Sequence, residues 1–343
     1  MAAPGVPDTE DRLRGALWGL FAGDAVAAPS HWYYGGAAQV RQDYGGPIKG
    51  YVKPAEKLRG SIMSKSSTDG GGRGSFADGS KTIIGDVINH GKKQYWTPTG
   101  SYHYHVTLSA GESTLEASLA RLLMKSVVAT GGVFDEKHFR ASYVEFMQRP
   151  GSHNDTYAST CHRMFFANLV HKGKAAEDCP DNDGHNVDTI DGLVLPTVTA
   201  LACAFRGESA AKARATAART AAVTRNSKAL EAAAGVWADV LQGALNGDLH
   251  ASLKRGASQL GQSLPSTLGM AAKYEKANVW SALLANANVG GENVHRGAVL
   301  GAALGANAGA AALPAALKDG LFKSAGLAIE IDAFVAALKA AKV

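Results

Sequence analysis

Four short segments of this chain concentrate carboxylates, amides and imidazoles. SYHYHVTLSAGEST (101–114) carries His103, His105 and Glu112, and GSHNDTYASTCH (151–162) carries His153, Asn154, Asp155 and His162. DNDGHNVDTID (181–191) holds Asp181, Asp183, His185, Asn186, Asp188 and Asp191, and GGENVHRG (290–297) holds Glu292, Asn293 and His295. Each stands where a loop-like stretch meets a helix-like one. An aspartate at a helix start has an ordinary use as a cap, contributing about 1 kcal/mol. Four such clusters at four junctions point instead to one pocket lined by ionisable groups. Groups of this kind suit acid–base cleavage of a bond.

Metal binding has weaker support. The His103-x-His105 pair supports zinc only with a third ligand, which His153 or His185 could supply, and a carboxylate. DNDG opens like a calcium loop, but no glutamate stands at the twelfth position and His185 follows, so that reading fails. Cys161 and His162 are adjacent, and adjacent side chains on a helix point apart, which argues against a thiol–imidazole pair.

The elements that must position these groups read as helices. Gly15, Gly19 and Gly23 recur every four residues near the start of the chain, and Gly297, Gly301, Gly305 and Gly309 do so near its end. That spacing lays side-chain-free positions along one stripe, so another helix can approach to backbone contact. Helices are expected over 11–27, capped by Asp11, and over 113–129, 137–148, 156–173, 208–225, 227–246, 249–261, 273–287 and 296–312, with 11–27 and 296–312 as buried neighbours. Residues 30–99 lack a sustained period and read as a long loop excursion, ordered and aromatic over 30–60 and mobile over 64–80. Residues 1–10 are expected to be disordered, and 11–343 to form one domain. No window alternates strand and helix, so the expected fold is all-α, a single large orthogonal helical bundle.

Hydrophobic residues make up 46% of the 343 residues and aromatics only 7%, a core of alanine, leucine and valine that suits close-packed helices. The net charge of +5 gathers in the loop region between Lys49 and Lys93 without an arginine-rich helix, which argues against nucleic acid as partner. Ala298–Leu317 is uncharged and long enough to span a bilayer, but its alanine and glycine content with Asn307 and Pro314 argues for a packed interior helix and no membrane partner. Three cysteines without a CxxC pair, and an N-terminus with acidic residues and no apolar run, lead to the expectation of a cytoplasmic protein.

GALWGLFAGDAVAAP (15–29), the GEST-to-helix step at 111–128, VTRNSKALEAAAGVWADVLQGALNG (223–247) and GGENVHRGAVLGAALGANAGAAALP (290–314) occur in the order found in the ADP-ribosylglycohydrolase superfamily, which the chain resembles. The superfamily includes the J1 crystallins. The resemblance implies an all-α fold and hydrolysis of the glycosidic bond of ADP-ribose with a pair of magnesium ions. Those ions are usually held by a Thr-Asp-Asp-Thr step and a late Asp-x-Asp-Thr step. Here the steps read Gly111-Glu112-Ser113-Thr114 and Glu292-Asn293-Val294-His295, and the family's Thr-His segment reads Thr224-Arg225.

The resulting expectation is a metal-independent hydrolase or lyase that cleaves a glycosidic or related C–N or C–O bond of a small molecule or modified protein. It is expected to lack the two-magnesium centre and to need no cofactor, a single divalent ion such as Mg2+ being left open. The substrate is ribosyl-containing if the resemblance carries that far. Glu112 is the expected catalytic carboxylate, with Asp155 second, and His153 or His185 the acid. Asn154, Asn186 and Asn293 would orient substrate hydroxyls, and Trp32 and Tyr33 would stack on a ring. Asp24, His31, His103, His105, Asp183, Asp188, Glu292 and His295 complete the expected lining. The competing readings are a catalytically silent, crystallin-like binding or structural protein, and a metal hydrolase with its ion on His103, His105 and nearby carboxylates.

Overall fold

The computed structural model describes residues 6–70, 81–97, 99–180, 188–257 and 265–343. Asp8, rather than Asp11, caps the first helix: its side chain accepts from the Asp11 amide at 2.8 Å, and α1 runs Thr9–Ala27. The helix therefore begins inside the stretch expected to be disordered. Glycine at three of its positions costs about 0.5–1 kcal/mol each relative to alanine. The partner that offsets this cost is the helix Asn293–Ala308. A Cβ built on Gly19 would collide with the carbonyl oxygen of Gly301, and one on Gly301 with that of Gly19. Gly23 meets Gly297 and Gly15 meets Gly305 in the same way, so the two helices run antiparallel, backbone against backbone.

Between them in sequence come α2 (Gly36–Tyr44), α3 (Leu115–Ala129), α4 (Glu136–Gln148), α5 (Thr160–Val170), α6 (Val194–Phe205) and α7 (Ala210–Ala222). Then follow α8 (Lys228–Leu245), α9 (Leu249–Ala257), α10 (Pro265–Tyr274) and α11 (Val279–Val289), which leads into Asn293–Ala308 as α12. Two further helices, α13 (Ala315–Asp319) and α14 (Ser324–Ala340), close the chain. No β-strand forms among the described residues; Lys57 and Tyr102 make an isolated bridge. The bundle is all-α, as the sequence pattern implies.

Helices α6, α7 and α8 pack on one another, and the Trp237 indole of α8 donates to Thr197 Oγ1 of α6 at 2.9 Å. Helix α14 packs on α3, and α11 on both α1 and α12. Helices α2, α6, α13 and α14 and most of α10 lie outside the helical ranges expected: α2 falls inside the expected loop 30–99, α6 precedes 208–225, α10 precedes 273–287, and α13 and α14 follow 296–312. The mobile segment expected over 64–80 lies partly outside the described residues; where described it includes a 3-10 turn, Met63–Lys65.

Gly301→Leu should cost at least about 1–3 kcal/mol, because no side chain on either face can yield. Gly326→Ala in α14, where an added Cβ meets nothing within 4 Å, should instead gain about 0.5–1 kcal/mol. Urea denaturation of both variants checks the pair, and equal effects would remove the packing argument.

Candidate active site

Because Gly23 faces Gly297, the last turn of α1 lies beside the first turn of α12. Asp24 is buried there and receives the Thr114 amide at 2.8 Å and the Thr114 hydroxyl at 2.6 Å. Burial raises its pKa to about 6 against those two bonds. Thr114 is the N-cap of α3, and the next amide, Leu115, donates to Asp155 Oδ2 at 2.8 Å. Two buried carboxylates thus sit at one helix N-terminus, where the orphan amides and the helix dipole favour negative charge.

After α1, a 3-10 turn containing Pro29 delivers His31 and Trp32. Trp32 adopts a left-handed backbone (φ 56°), rare for a bulky residue. Its amide donates to the Gly291 carbonyl at 2.8 Å, its indole donates to Glu292, and its ring stacks on His31 at 4.2 Å. Gly290 (φ 67°) makes the tight turn into α12 possible; a Cβ there would strike the Tyr33 carbonyl.

A continuous row of hydrogen bonds then crosses the site. Asp155 Oδ1 accepts from His105 Nδ1 at 2.8 Å, His105 Nε2 meets His31 Nδ1 at 2.7 Å, and His31 Nε2 lies 3.2 Å from both Glu292 oxygens. His295 Nδ1 bonds Glu292 from the other side. Burial pushes His31 down to about 4, against the pull of Glu292. For Glu292 burial acts upward, but His31 and His295 hold it well below the usual carboxylate range.

A second network lies alongside. Burial opposes the charge on Asp191, yet the bidentate Arg225 guanidinium, at 2.8 and 2.9 Å, pulls it down to about 2. Arg225 also reaches Glu116 at 3.5 Å. Glu116 accepts from His162 Nε2 at 2.8 Å, and His162 Nδ1 bonds the Tyr143 hydroxyl at 2.8 Å. Burial works against the charged His162 ring, but Cys161, Tyr143 and Glu116 push its pKa well above the ordinary value.

Both networks border a cavity of about 490 Å³ whose lining includes Trp32, Tyr104, Tyr157, Ser159, Asp191 and Glu292. Trp32 is met edge-on by Tyr104 at 4.5 Å and by Tyr157 at 5.0 Å, forming an aromatic wall. A recess of about 10 Å³ is lined by residues including His105, Glu116, Asp155 and His295. The Glu292 side chain is 30% exposed, whereas those of His31, His105 and Asp155 are buried.

Of the residues singled out from sequence, the structure brings together Asp24, His31, Trp32, His105, Asp155, Glu292 and His295. Glu112 does not line the cavity; it accepts from the Ser109 amide at 2.7 Å and from Asn154 at 3.1 Å. Asn154 also bonds Lys92 and the Thr107 carbonyl. The His153 ring is half-buried and stacks on Phe146, and partial loss of solvent lowers it to about 4. Tyr33, His103 and Asn293 are buried behind the site. His103 is spent on the backbone: Nε2 donates to the Pro29 carbonyl and Nδ1 accepts from the His105 amide, both at 3.0 Å. Asn293 bonds Ser30 at 2.8 Å and the Ala287 carbonyl at 3.2 Å. Asp188 is exposed, on a separate small cleft. Asp183, His185 and Asn186 lie outside the described residues. Glu116, Tyr104, Tyr157, Ser159 and the pairing of Asp191 with Arg225 went unanticipated. The available signal was Glu116 itself, which is one turn beyond Glu112 and in the first turn of α3.

The Asp191–Arg225 pair sets an acid limit. Asp191 titrates at 3.8 when unfolded and at about 2 when folded, so its contribution is fully present above the unfolded value and is lost as pH falls toward 2. Asp191→Asn should flatten the dependence of the urea midpoint on pH across that window. It should also destabilise the fold near neutrality by up to about 3–5 kcal/mol, since buried Arg225 is left with only Glu116, 3.5 Å away, to offset its charge.

Residues 6–263 and 251–342 match the family described as ADP-ribosylglycohydrolase. No curated protein matches the chain. Among solved structures, one titled "ADP-ribosylglycohydrolase-related protein complex" is similar at a TM-score of 0.57 and 19% identity, over 97% of this chain and 99% of that one. That likeness extends to the fold, and no helix among the described residues is long and apolar enough to cross a membrane. With nearly its whole length matched, this all-α chain belongs to the ADP-ribosylglycohydrolase family.

Proposed function

We propose that the protein is a hydrolase that cleaves a glycosidic or related C–N or C–O bond of a small molecule or modified protein, with a ribosyl group as part of the substrate. The observation that carries this reading is the aromatic-walled cavity with Glu292 half-open at its edge. Bond cleavage of this class needs a carboxylate to activate water or stabilise developing positive charge on the sugar. Asp24, Asp155 and Asp191 are buried against Thr114, His105 and Arg225 respectively, which makes them supports. Glu292 is held on three sides, by the Trp32 indole, His31 and His295, and faces the cavity on the fourth. It therefore takes the role expected of Glu112. The edges and faces of Trp32, Tyr104 and Tyr157 suit a planar or sugar ring.

The family resemblance implies magnesium, which requires near-octahedral oxygen shells. The atoms gathered here are instead imidazole nitrogens and carboxylates already bonded to the protein, and Leu115 and Val294 stand among them without a donor. These residues do not fit a magnesium pair, and no step is assigned to one.

Glu292→Gln should lower kcat by about 10²–10⁴ on a ribosyl substrate found by screening N- and O-glycosides for released sugar. Trp32→Ala should chiefly raise KM, and Glu112→Gln should leave both constants near those of the unaltered protein. Turnover that survives in Glu292→Gln but collapses in Glu112→Gln would overturn the assignment. Failure to cleave any glycoside in the panel would overturn the activity itself.

A further inference from the structure

Helices α9 and α10 pack on each other, and a groove of about 290 Å³ opens between them. Leu253 and Leu268 are buried at its base, and Ala257, Gly269 and Ala272 are exposed along its sides. The remaining lining side chains, His250 and Lys254, stand one turn apart on α9. None of these residues lines the cavity in front of Glu292. We propose that the groove binds a small amphipathic anion, an unbranched medium-chain carboxylate, with its chain between α9 and α10 and its carboxylate on Lys254 Nζ. This goes beyond the hydrolase reading, and neither depends on the other.

Gly269 supplies the first argument. It sits in the interior of α10, where glycine disfavours the helix relative to alanine. A Cβ added there would meet nothing within 4 Å, in contrast to Gly19 and Gly301, whose missing side chains let two backbones touch. No contact inside the protein explains this glycine; what its missing side chain leaves is the open space of the groove.

Polarity and charge then define the occupant. Apart from His250 and Lys254 the lining side chains are apolar, so a ligand that fills the groove is apolar over most of its surface and polar at one point. His250 Nδ1 is taken by Glu275 at 2.9 Å and Arg255 by Asp248 at 3.3 Å. No carboxylate pairs with Lys254 among the described residues, which leaves its ammonium for a ligand. From Asp248 to Lys276, the cations Lys254, Arg255, Lys273 and Lys276 oppose only Asp248 and Glu275. The field over the groove therefore favours an anion. At about 30 Å³ for each water-sized group, the volume suits a chain on the order of ten carbons. A partner helix is the weaker fit, because the polar residues that flank its apolar stripe would meet Ala257 and Ala272 and find no bonding partner there.

The test is calorimetric titration of the full chain with decanoate below its micelle concentration. Decyltrimethylammonium, the same chain under a cationic head, is titrated in parallel. One decanoate per chain is expected, with octanoate about tenfold weaker and no binding of decyltrimethylammonium. Gly269→Leu, which places a side chain in the groove, should abolish binding, and Lys254→Glu should weaken it at least about tenfold. Trp32→Ala should leave it unchanged, since the cavity at Glu292 is a separate space. Should Gly269→Leu perturb the far-UV circular dichroism, Ala272→Leu, at an exposed position on the next turn, carries that arm. Absence of decanoate binding, equal binding of decyltrimethylammonium, binding that survives the groove-filling variant, or binding lost with Trp32→Ala would each overturn the site. Saturable binding of an acidic amphipathic peptide with none of decanoate would assign the groove to a protein partner and overturn it as well.

Discussion

The contact of α1 with α12 through bare backbone is the constraint on which the rest of the molecule depends. Six helix-interior glycines cost about 3–6 kcal/mol in helix propensity, and only a buried, side-chain-free interface justifies them. A ladder repeating every four residues does not define its own register, however. A slip of one repeat, about 6 Å along the axis, would again place glycine against glycine. Polar pins at both ends forbid it. Arg12 donates to the carbonyls of Ala306 and Asn307 at 3.1 and 2.6 Å, and Asn293 donates to Ser30 at 2.8 Å. The same register puts His31 3.2 Å from Glu292. The site exists because this pairing is fixed at both ends.

Burying so many ionisable groups is costly unless each finds a partner. Here the groups are shared out in pairs and chains. Asp24 takes the cap of α3, Asp155 takes the next amide together with His105, Asp191 takes Arg225, and Glu116 takes His162. Each pairing ties together distant stretches of chain, so the polar interior fixes mutual position as much as it stabilises. Removing one partner would leave the other group buried without its match.

The helical frame was legible in the sequence because glycine spacing and apolar period are local signals. The helices α2 and α10 were not, since α2 has a single buried side chain and α10 begins at a proline in a weakly patterned stretch. Within the site, clustering was legible but roles were not. His103 and His105 look equivalent in SYHYH, yet one is consumed by the Pro29 carbonyl and the other joins the buried row. Glu112 and Glu116 differ by one turn, and only the true start of α3 at Leu115 decides which carboxylate turns inward. Asp191 and Arg225 are 34 residues apart in sequence, and nothing local links them.

Trp32 shows where the cost of this arrangement falls. A left-handed backbone at a bulky residue costs about 1–3 kcal/mol, and it persists only where the surroundings over-determine it. Here they do. The Trp32 amide is fixed by Gly291, the indole nitrogen by Glu292, one face by His31, and the ring by the edges of Tyr104 and Tyr157. Relaxing the backbone would swing the indole away from Glu292 and open the aromatic wall of the cavity. The strain is thus concentrated at the one residue that both holds the exposed carboxylate and lines the space in front of it. A packing role alone would require neither the conformation nor the bond to Glu292.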